Sequence, residues 1–195
     1  MLSDAKQILE YDKNGNLPLA WETSADDLIV AANVLMEKRE EIATEATPIG
    51  APTPPEIMTL STELMLRGYA IECLLKGIWV SQGNQIVQNG KYIGVTGANQ
   101  HNLIELAKKV NLRLTNQEKD ILIRLTNCVT GFGRYPIQKK WSISKIRKKR
   151  DGTVTPSGTY WGSPNDYNCL EKFITKLKTE IRKKSKAPPQ IKRLC

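Results

Sequence analysis

Residues 56–81 read EIMTLSTELMLRGYAIECLLKGIWVS, and the pattern of this segment is the clearest indication of the fold class. Its apolar residues recur mostly three or four positions apart, which is the spacing of one face of an α-helix. They are Ile57, Leu60, Leu64, Ile71, Leu74, Leu75 and Ile78. A helix is therefore predicted from about Pro55 to Ser81, with Gly83 as its stop. Gly68 lies in its middle at a cost of roughly 1 kcal/mol relative to alanine, which indicates that a neighbouring helix approaches closely there.

The same spacing predicts four further helices on either side of this one. The first begins at Thr23 or Ser24, and a later one begins at Thr115 with Glu118 completing a capping box. The predicted fold is an all-α, antiparallel helical bundle of about five helices, with a basic loop or β-hairpin before the last helix. In chain order we expect an N-terminal arm (1–22), the bundle (23–137), the basic insertion (138–162), the last bundle helix (163–186) and a flexible tail (187–195).

The net charge of +9 is distributed unevenly along the chain. Residues 1–133 carry 12 Lys and Arg against 16 Asp and Glu, whereas residues 134–195 carry 17 against 4. An acidic body joined to a strongly basic C-terminal third indicates a surface that docks a polyanion. RNA is the predicted partner, and single-stranded DNA or an acidic protein partner are the alternatives.

The basic insertion combines cations with aromatic side chains. Cations that release condensed counterions, together with rings on which bases stack, are typical of sites for single-stranded nucleic acid. The predicted RNA- or ligand-binding residues are Lys76, Arg134, Tyr135, Lys139, Lys140, Trp141, Lys145, Arg147, Lys148, Lys149 and Arg150. Because Asp151 and Gly152 are a hairpin-turn signal, the insertion is predicted to be a β-ribbon or an ordered loop. A solvated run of charge is the structural alternative.

Glu72, Lys76 and His101 are the candidates for chemistry. Glu72 and Lys76 are four positions apart, so they lie on one face of the long helix and are expected to form an ion pair near a cleft. His101 is the only histidine and the one candidate for general acid–base catalysis. The structural alternative is that His101 anchors the start of the third helix through a backbone carbonyl.

Several classes of protein are not indicated by the sequence. It has no phosphate-binding loop, dinucleotide-binding, nucleophile-elbow or zinc-protease motif. Cys73, Cys128 and Cys169 are not spaced as zinc ligands and are predicted to pack as small hydrophobic residues. No metal or cofactor is expected. The start lacks a signal peptide and no apolar run is long enough to span a membrane, so a cytoplasmic location is predicted.

Four segments follow one another in a recognisable order. They are residues 68–77 (GYAIECLLKG), 101–106 (HNLIEL), 121–129 (ILIRLTNCV) and 133–136 (GRYP). Together they resemble a HEPN-type domain, the higher eukaryote and prokaryote nucleotide-binding helical family. The resemblance implies a helical bundle, often paired into homodimers, that occurs in toxin–antitoxin, phage-defence and RNA-processing systems.

Some members of that family are metal-independent ribonucleases, which carry an arginine followed four to six residues later by a histidine. This sequence departs from that pattern, because no histidine follows Arg134 and the nearest arginine before His101 is Arg67, 34 positions earlier. The sequence therefore predicts a HEPN-like protein that binds RNA or a nucleotide without cleaving it. The alternatives are an atypical ribonuclease using His101 with Arg134 or Lys76, and an interaction module that docks an acidic protein.

Overall fold

A computed structural model describes residues 2–44, 59–132, 146–148, 154–156 and 164–185 of the chain. Six α-helices and two short strand pairs lie within these ranges, so the predicted all-α fold class is confirmed. The helices are α1 (Leu2–Gly15), α2 (Pro18–Thr44), α3 (Leu60–Ser81), α4 (Leu103–Lys109), α5 (Asn116–Asn127) and α6 (Pro164–Ser185). The strands are β1 (Val87–Gln88), β2 (Lys91–Tyr92), β3 (Ile146–Lys148) and β4 (Val154–Pro156).

Helix α3 is the centre of the bundle and packs against α2, α4, α5 and α6. Four side chains of its apolar face are completely buried, namely Ile71, Leu74, Leu75 and Ile78. Burial of each such side chain contributes about 1.5–3 kcal/mol relative to exposure. The predicted start of this helix near Pro55 lies outside the described residues.

Side-chain contacts show in which direction the helices run. The end of α2 meets the start of α3, where Arg39 pairs with Glu63, and the start of α2 meets the end of α3, where Trp21 lies against Lys76. These two helices are therefore antiparallel. Helices α5 and α6 are antiparallel as well, because their ion pairs join Glu118 to Lys176 and Arg124 to Asp166. The predicted antiparallel pairing is present in both.

Helix α6 runs parallel to α3, which a simple up-and-down bundle would not show. Glu171, near its start, contacts Arg67 near the start of α3. Ile181, near its end, lies beside Gly77 near the end of α3. The two helices between them in sequence, α4 and α5, provide the connection that allows this direction.

Residues 2–22, which belong to the predicted N-terminal arm, are largely helical. They contain helix α1 and the first turn of α2, which begins at Pro18 rather than at Thr23 or Ser24. Proline suits the first helical position, because its fixed φ fits the helix and its missing N–H is not needed there. Helix α1 is held by side chains that bind the β1–β2 hairpin: Asp12 accepts hydrogen bonds from the amides of Asn89 and Gly90, at 2.7 and 2.8 Å.

The close helix approach predicted at Gly68 is confirmed. A π-helical turn, Cys128–Phe132, continues α5 and packs on α3. A Cβ at position 68 would overlap Val129 of this turn and lie 3.4 Å from the carbonyl oxygen of Leu125. The predicted capping box is also present: Thr115 Oγ1 accepts from the Glu118 amide, and the Glu118 carboxylate accepts from the Thr115 amide at 2.7 Å.

The basic insertion contains a two-stranded ribbon. Strands β3 and β4 pair antiparallel, with Arg147 opposite Thr155 and Lys148 opposite Val154. This agrees with the hairpin form of the prediction, whereas the Asp151-Gly152 turn and the tail 187–195 lie outside the described residues.

Candidate functional site

The candidate site is built around the carboxylate of Glu72 on α3. Its Oε1 accepts a hydrogen bond from Lys76 Nζ at 2.6 Å, and its Oε2 lies 3.0 Å from His101 Nδ1. Glu72 and Lys76 are only 5% and 6% exposed, whereas the side chain of His101 is 41% exposed. We refer to these three residues as the histidine cluster. The predicted Glu72–Lys76 pair is therefore confirmed, and His101 joins it from a distant part of the chain.

The start of α4 holds His101 against α3. Asn102 caps this helix: its side chain accepts from the Glu105 amide at 3.2 Å and donates to Glu105 Oε1 at 2.8 Å. The amide of Leu103, whose side chain is fully buried, donates to Thr126 Oγ1 on α5 at 3.2 Å. These contacts fix the backbone next to His101. The imidazole consequently faces a carboxylate, and not the backbone carbonyl of the structural alternative.

Aromatic rings enclose the Lys76 end of the cluster. Lys76 Nζ lies 5.5 Å from the ring centroid of Trp21 on α2 and 5.4 Å from that of Tyr92 on β2. Burial lowers the pKa of Lys76, but Glu72 and Tyr92 outweigh this effect, so the pKa lies above its ordinary value. The ammonium is therefore charged at neutral pH and is held by Glu72 rather than by solvent.

The arrangement fixes how the imidazole of His101 can react. When the ring is neutral, the nearby carboxylate favours the proton on Nδ1, which leaves the lone pair of Nε2 as the acceptor. The rings of Tyr69 and His101 form a T-shaped contact, with centroids 6.2 Å apart and an angle of 76° between the ring planes. A carboxylate-backed histidine with one exposed side is suited to accept or donate a proton. Lys76 balances the charge of Glu72 beneath it.

A second cluster of buried charges lies nearer the start of α3. Arg67 is 1% exposed and donates to Glu63 Oε1 at 2.9 Å, to Asn33 Oδ1 at 2.9 Å and to Glu171 Oε1 at 3.0 Å. Glu63 is completely buried and also binds Arg39. Tyr167 belongs to the same cluster, because its hydroxyl accepts a hydrogen bond from Arg39 at 3.0 Å. We refer to the six residues as the arginine network: Asn33, Arg39, Glu63, Arg67, Tyr167 and Glu171. It joins α2, α3 and α6.

The predicted RNA- or ligand-binding residues fall into three groups. Lys76, which the sequence predicted as a ligand- or RNA-binding residue, is buried and paired with Glu72. Arg147 and Lys148 belong to strand β3. The residues that lie outside the described ranges are Arg134, Tyr135, Lys139, Lys140, Trp141, Lys145, Lys149 and Arg150.

The cysteines near the site are not activated. Burial raises the pKa of Cys73, which neighbours Glu72 on α3, to about 11, and it raises that of Cys128 to about 11 as well. Both thiols are therefore protonated at neutral pH and unsuited to act as nucleophiles. In the ranges that the structure covers, no three His, Cys, Asp or Glu side chains are grouped as metal ligands.

Comparisons with known proteins leave the chain unassigned. A scan against protein-family models, a search of curated proteins and a search of solved structures each give no match. The HEPN-like resemblance therefore stays a prediction based on the four segments. Of the helices described above, none combines the length and the apolar character that crossing a membrane requires.

Proposed function

We propose that this protein binds RNA through its basic C-terminal third and acts as a non-catalytic, HEPN-like binding protein. The observation that carries the proposal is the separation of charge between an acidic body and residues 134–195. In the family that the sequence resembles, such a protein would be a cytoplasmic homodimer within a toxin–antitoxin, phage-defence or RNA-processing system.

Most acidic residues of the basic third are already paired with a cation. Only four acidic residues follow position 133, and three of them already hold a cation. These pairs are Asp166 with Arg124, Glu171 with Arg67, and Glu180 with Lys183. Because 17 cations share this region with so few acids, most of them have no acidic partner within it. An external polyanion would supply the missing charge.

The last helix uses part of its basic side chains to hold the bundle together. Its pairs with the body are Lys176 with Glu118, Lys178 with Asp26, and Arg182 with buried Glu22. The β3–β4 ribbon is a separate element, and its first strand contributes Arg147 and Lys148. A two-stranded basic ribbon can follow the backbone of a nucleic acid strand. We therefore assign the main RNA contacts to the ribbon.

Charge reversal in the ribbon tests this assignment. We expect Arg147→Glu with Lys148→Glu to weaken binding of a mixed-sequence single-stranded RNA at least tenfold. The slope of log affinity against log salt should become shallower by about 1.4, since each phosphate contact to a single strand contributes about 0.7. Fluorescence anisotropy at several salt concentrations measures both effects.

A matched variant separates local contacts from total charge. Lys6 and Lys13 are exposed on α1, in the acidic body. Lys6→Glu with Lys13→Glu changes the net charge as much as the ribbon variant does, and it should leave most of the affinity in place. Equal losses in both variants would mean that RNA binding is non-specific, and unchanged binding in the ribbon variant would sink the assignment.

The histidine cluster supports a second candidate function, a metal-independent ribonuclease. In such cleavage the ribose 2′-oxygen attacks the adjacent phosphorus and the bond to the 5′-oxygen breaks, which yields a cyclic phosphate and a 5′-hydroxyl. His101 Nε2 would accept the 2′-hydroxyl proton while Glu72 stabilises the imidazolium, and water would protonate the departing oxygen. The carboxylate 3.0 Å from Nδ1 is the observation that favours this candidate.

Cleavage is tested in the same RNA assay without added metal. If the second candidate is right, His101→Gln abolishes cleavage and Glu72→Gln reduces it, while both variants still bind RNA. Cleavage that persists in His101→Gln would assign the activity to other residues. If the wild-type protein leaves the RNA intact, the ribonuclease candidate is excluded and only RNA binding remains.

A further inference from the structure

Helices α4 and α5 enclose an open groove of about 1010 Å³ on the side of the bundle. Its floor is aliphatic, formed by Ile104, Leu112, Leu114 and Ile123. The first three are partly buried against the core, whereas Ile123 is 52% exposed. The opposite face of α5, with Ile121, Leu122 and Leu125, already fills the core. The groove is therefore an extension of the hydrophobic interior that reaches the surface.

Cations surround this apolar floor. Lys108, Arg113 and Lys119 line the groove, are exposed, and form no ion pair with any residue of the described ranges. The one acid that lines it, Glu105, is engaged in capping α4 through Asn102 and the amide of Asn99. The groove thus presents positive charge on a body that is acidic overall. Its partner should be acidic and should carry aliphatic side chains.

The same chain presents a surface with that chemistry. Asp27, Val30, Val34 and Glu37 recur on one face of α2 at intervals of three and four, and all are exposed. Val30 is 63% and Val34 is 58% exposed, and neither Asp27 nor Glu37 pairs with a cation among the described side chains. We call these four residues the α2 outer face. It is the charge complement of the groove, and a helix with apolar anchors at this spacing is the usual occupant of such grooves.

We propose that the α2 outer face of one protomer docks into the α4–α5 groove of a second copy. The two valines would cover the aliphatic floor, and Asp27 and Glu37 would face the groove cations. RNA is a poorer occupant, because none of the residues lining the groove is aromatic and bases would have nothing to stack on. The inference is independent of RNA binding, since both surfaces lie outside the basic third.

Self-association of the full-length protein tests the proposal. Sedimentation velocity between about 1 and 200 μM should show a species heavier than the 21.9 kDa monomer, and its formation should weaken with salt. Ile123→Asp should raise the dissociation constant at least tenfold, because it places a charge on the apolar floor. Leu9→Asp is the matched control: Leu9 is 67% exposed on α1 and belongs to neither surface, so this change should have no effect.

Charge exchange identifies the two surfaces as partners. Lys108→Glu with Lys119→Glu should abolish self-association, and so should Asp27→Lys with Glu37→Lys. Mixing these two variants should restore a complex, because each then offers the charge that the other lacks. A protein that stays monomeric at about 200 μM and low salt, or an association that Ile123→Asp and the mixed variants leave unchanged, would overturn the proposal. The RNA assay with the ribbon variant is scored separately, so one idea can fail while the other holds.

Discussion

Helix α3 carries two pairs of opposite charge that look alike in sequence. Glu63 and Arg67 form one pair and Glu72 and Lys76 the other, and each pair is four residues apart and buried. They differ in what faces them. The first pair lies in the arginine network between α2, α3 and α6, and the second meets one partly exposed imidazole. The helices and loops that pack against a buried ion pair therefore determine whether its charges serve only stability or are also available for chemistry.

The arginine network satisfies its charges internally. The guanidinium of Arg67 donates to the carboxylate of Glu63, to the side-chain oxygen of Asn33 on α2 and to a carboxylate on α6. Its Cζ atom lies 5.4 Å from the ring centroid of Tyr167. Burying such a network lowers the free energy of unfolding, but removing one of its members lowers it further, because each lost partner leaves a buried charge unpaired. It therefore fixes the relative position of three helices.

The largest expected effect is the interruption of that network. Arg67→Met leaves Glu63 buried with Arg39 as its remaining cation, and we expect a loss of about 3–5 kcal/mol in the free energy of unfolding. Urea denaturation followed by circular dichroism measures it. Glu63→Leu combined with Arg67→Met should recover part of the loss, because the buried charges are then removed together. A single variant as stable as wild type would contradict the structural role.

A smaller loss is expected when the histidine cluster is changed. Glu72→Gln removes the charge that holds Lys76 but keeps a side-chain oxygen that can accept its hydrogen bond, so we expect a loss of about 1.5–3 kcal/mol in the free energy of unfolding. Because His101 is the only histidine, its acylation by diethyl pyrocarbonate reports on this site alone. The rate should fall in Glu72→Gln, since the carboxylate no longer polarises the Nδ1–H bond.

The same reagent distinguishes the two clusters. A variant of the arginine network that remains folded, such as Tyr167→Phe, should leave the acylation rate of His101 unchanged. Equal rate changes in Glu72→Gln and Tyr167→Phe would mean that the clusters are coupled through α3, and the proposed difference between them would be lost.

Much of the fold could be predicted from the spacing of apolar residues. The five helices α2 to α6, the Thr115 cap and the close approach at Gly68 follow from local patterns. Helix α1 could not be predicted in this way, because Asp12 and Asn16 hold it through hydrogen bonds to residues more than 70 positions away. The sequence does carry a local signal for the β1–β2 hairpin, which is the pair Asn89-Gly90. Both residues have positive φ, as a two-residue turn requires.

The candidate site could be predicted as single residues and not as an arrangement. Glu72, Lys76 and His101 all stood out by residue type, yet 29 positions separate His101 from Glu72, and only the packing of α4 on α3 brings them together. The arginine network had one local signal, the spacing of Glu63 and Arg67. Its other members come from α2 and α6, whose contacts no short sequence pattern encodes.

Gly68 lies on α3 between the two charged pairs, so a substitution there tests whether a local change in helix packing affects either cluster. Gly68→Ala gains about 1 kcal/mol of helix propensity, but its Cβ would overlap Val129. Overpacking of this kind costs about 1–3 kcal/mol, so we expect a net loss near 1 kcal/mol. Thermal denaturation measures it, and adding Val129→Ala should make Gly68→Ala neutral or stabilising. The acylation rate of His101 should not change.

The smallest expected effect is a change of stability with alkaline pH, and it belongs to Lys76 alone. Its pKa in the folded protein lies above the ordinary value of 10.5, because Glu72 and Tyr92 outweigh the effect of burial. A group with a raised pKa stabilises the fold fully below its unfolded pKa and loses this contribution as pH rises through the folded pKa. The difference in unfolding free energy between wild type and Lys76→Met should therefore be constant up to about pH 9.5 and shrink above the ordinary lysine value. A difference that grows with pH would mean that the ammonium is not held by Glu72, and the pairing at the base of the histidine cluster would have to be abandoned.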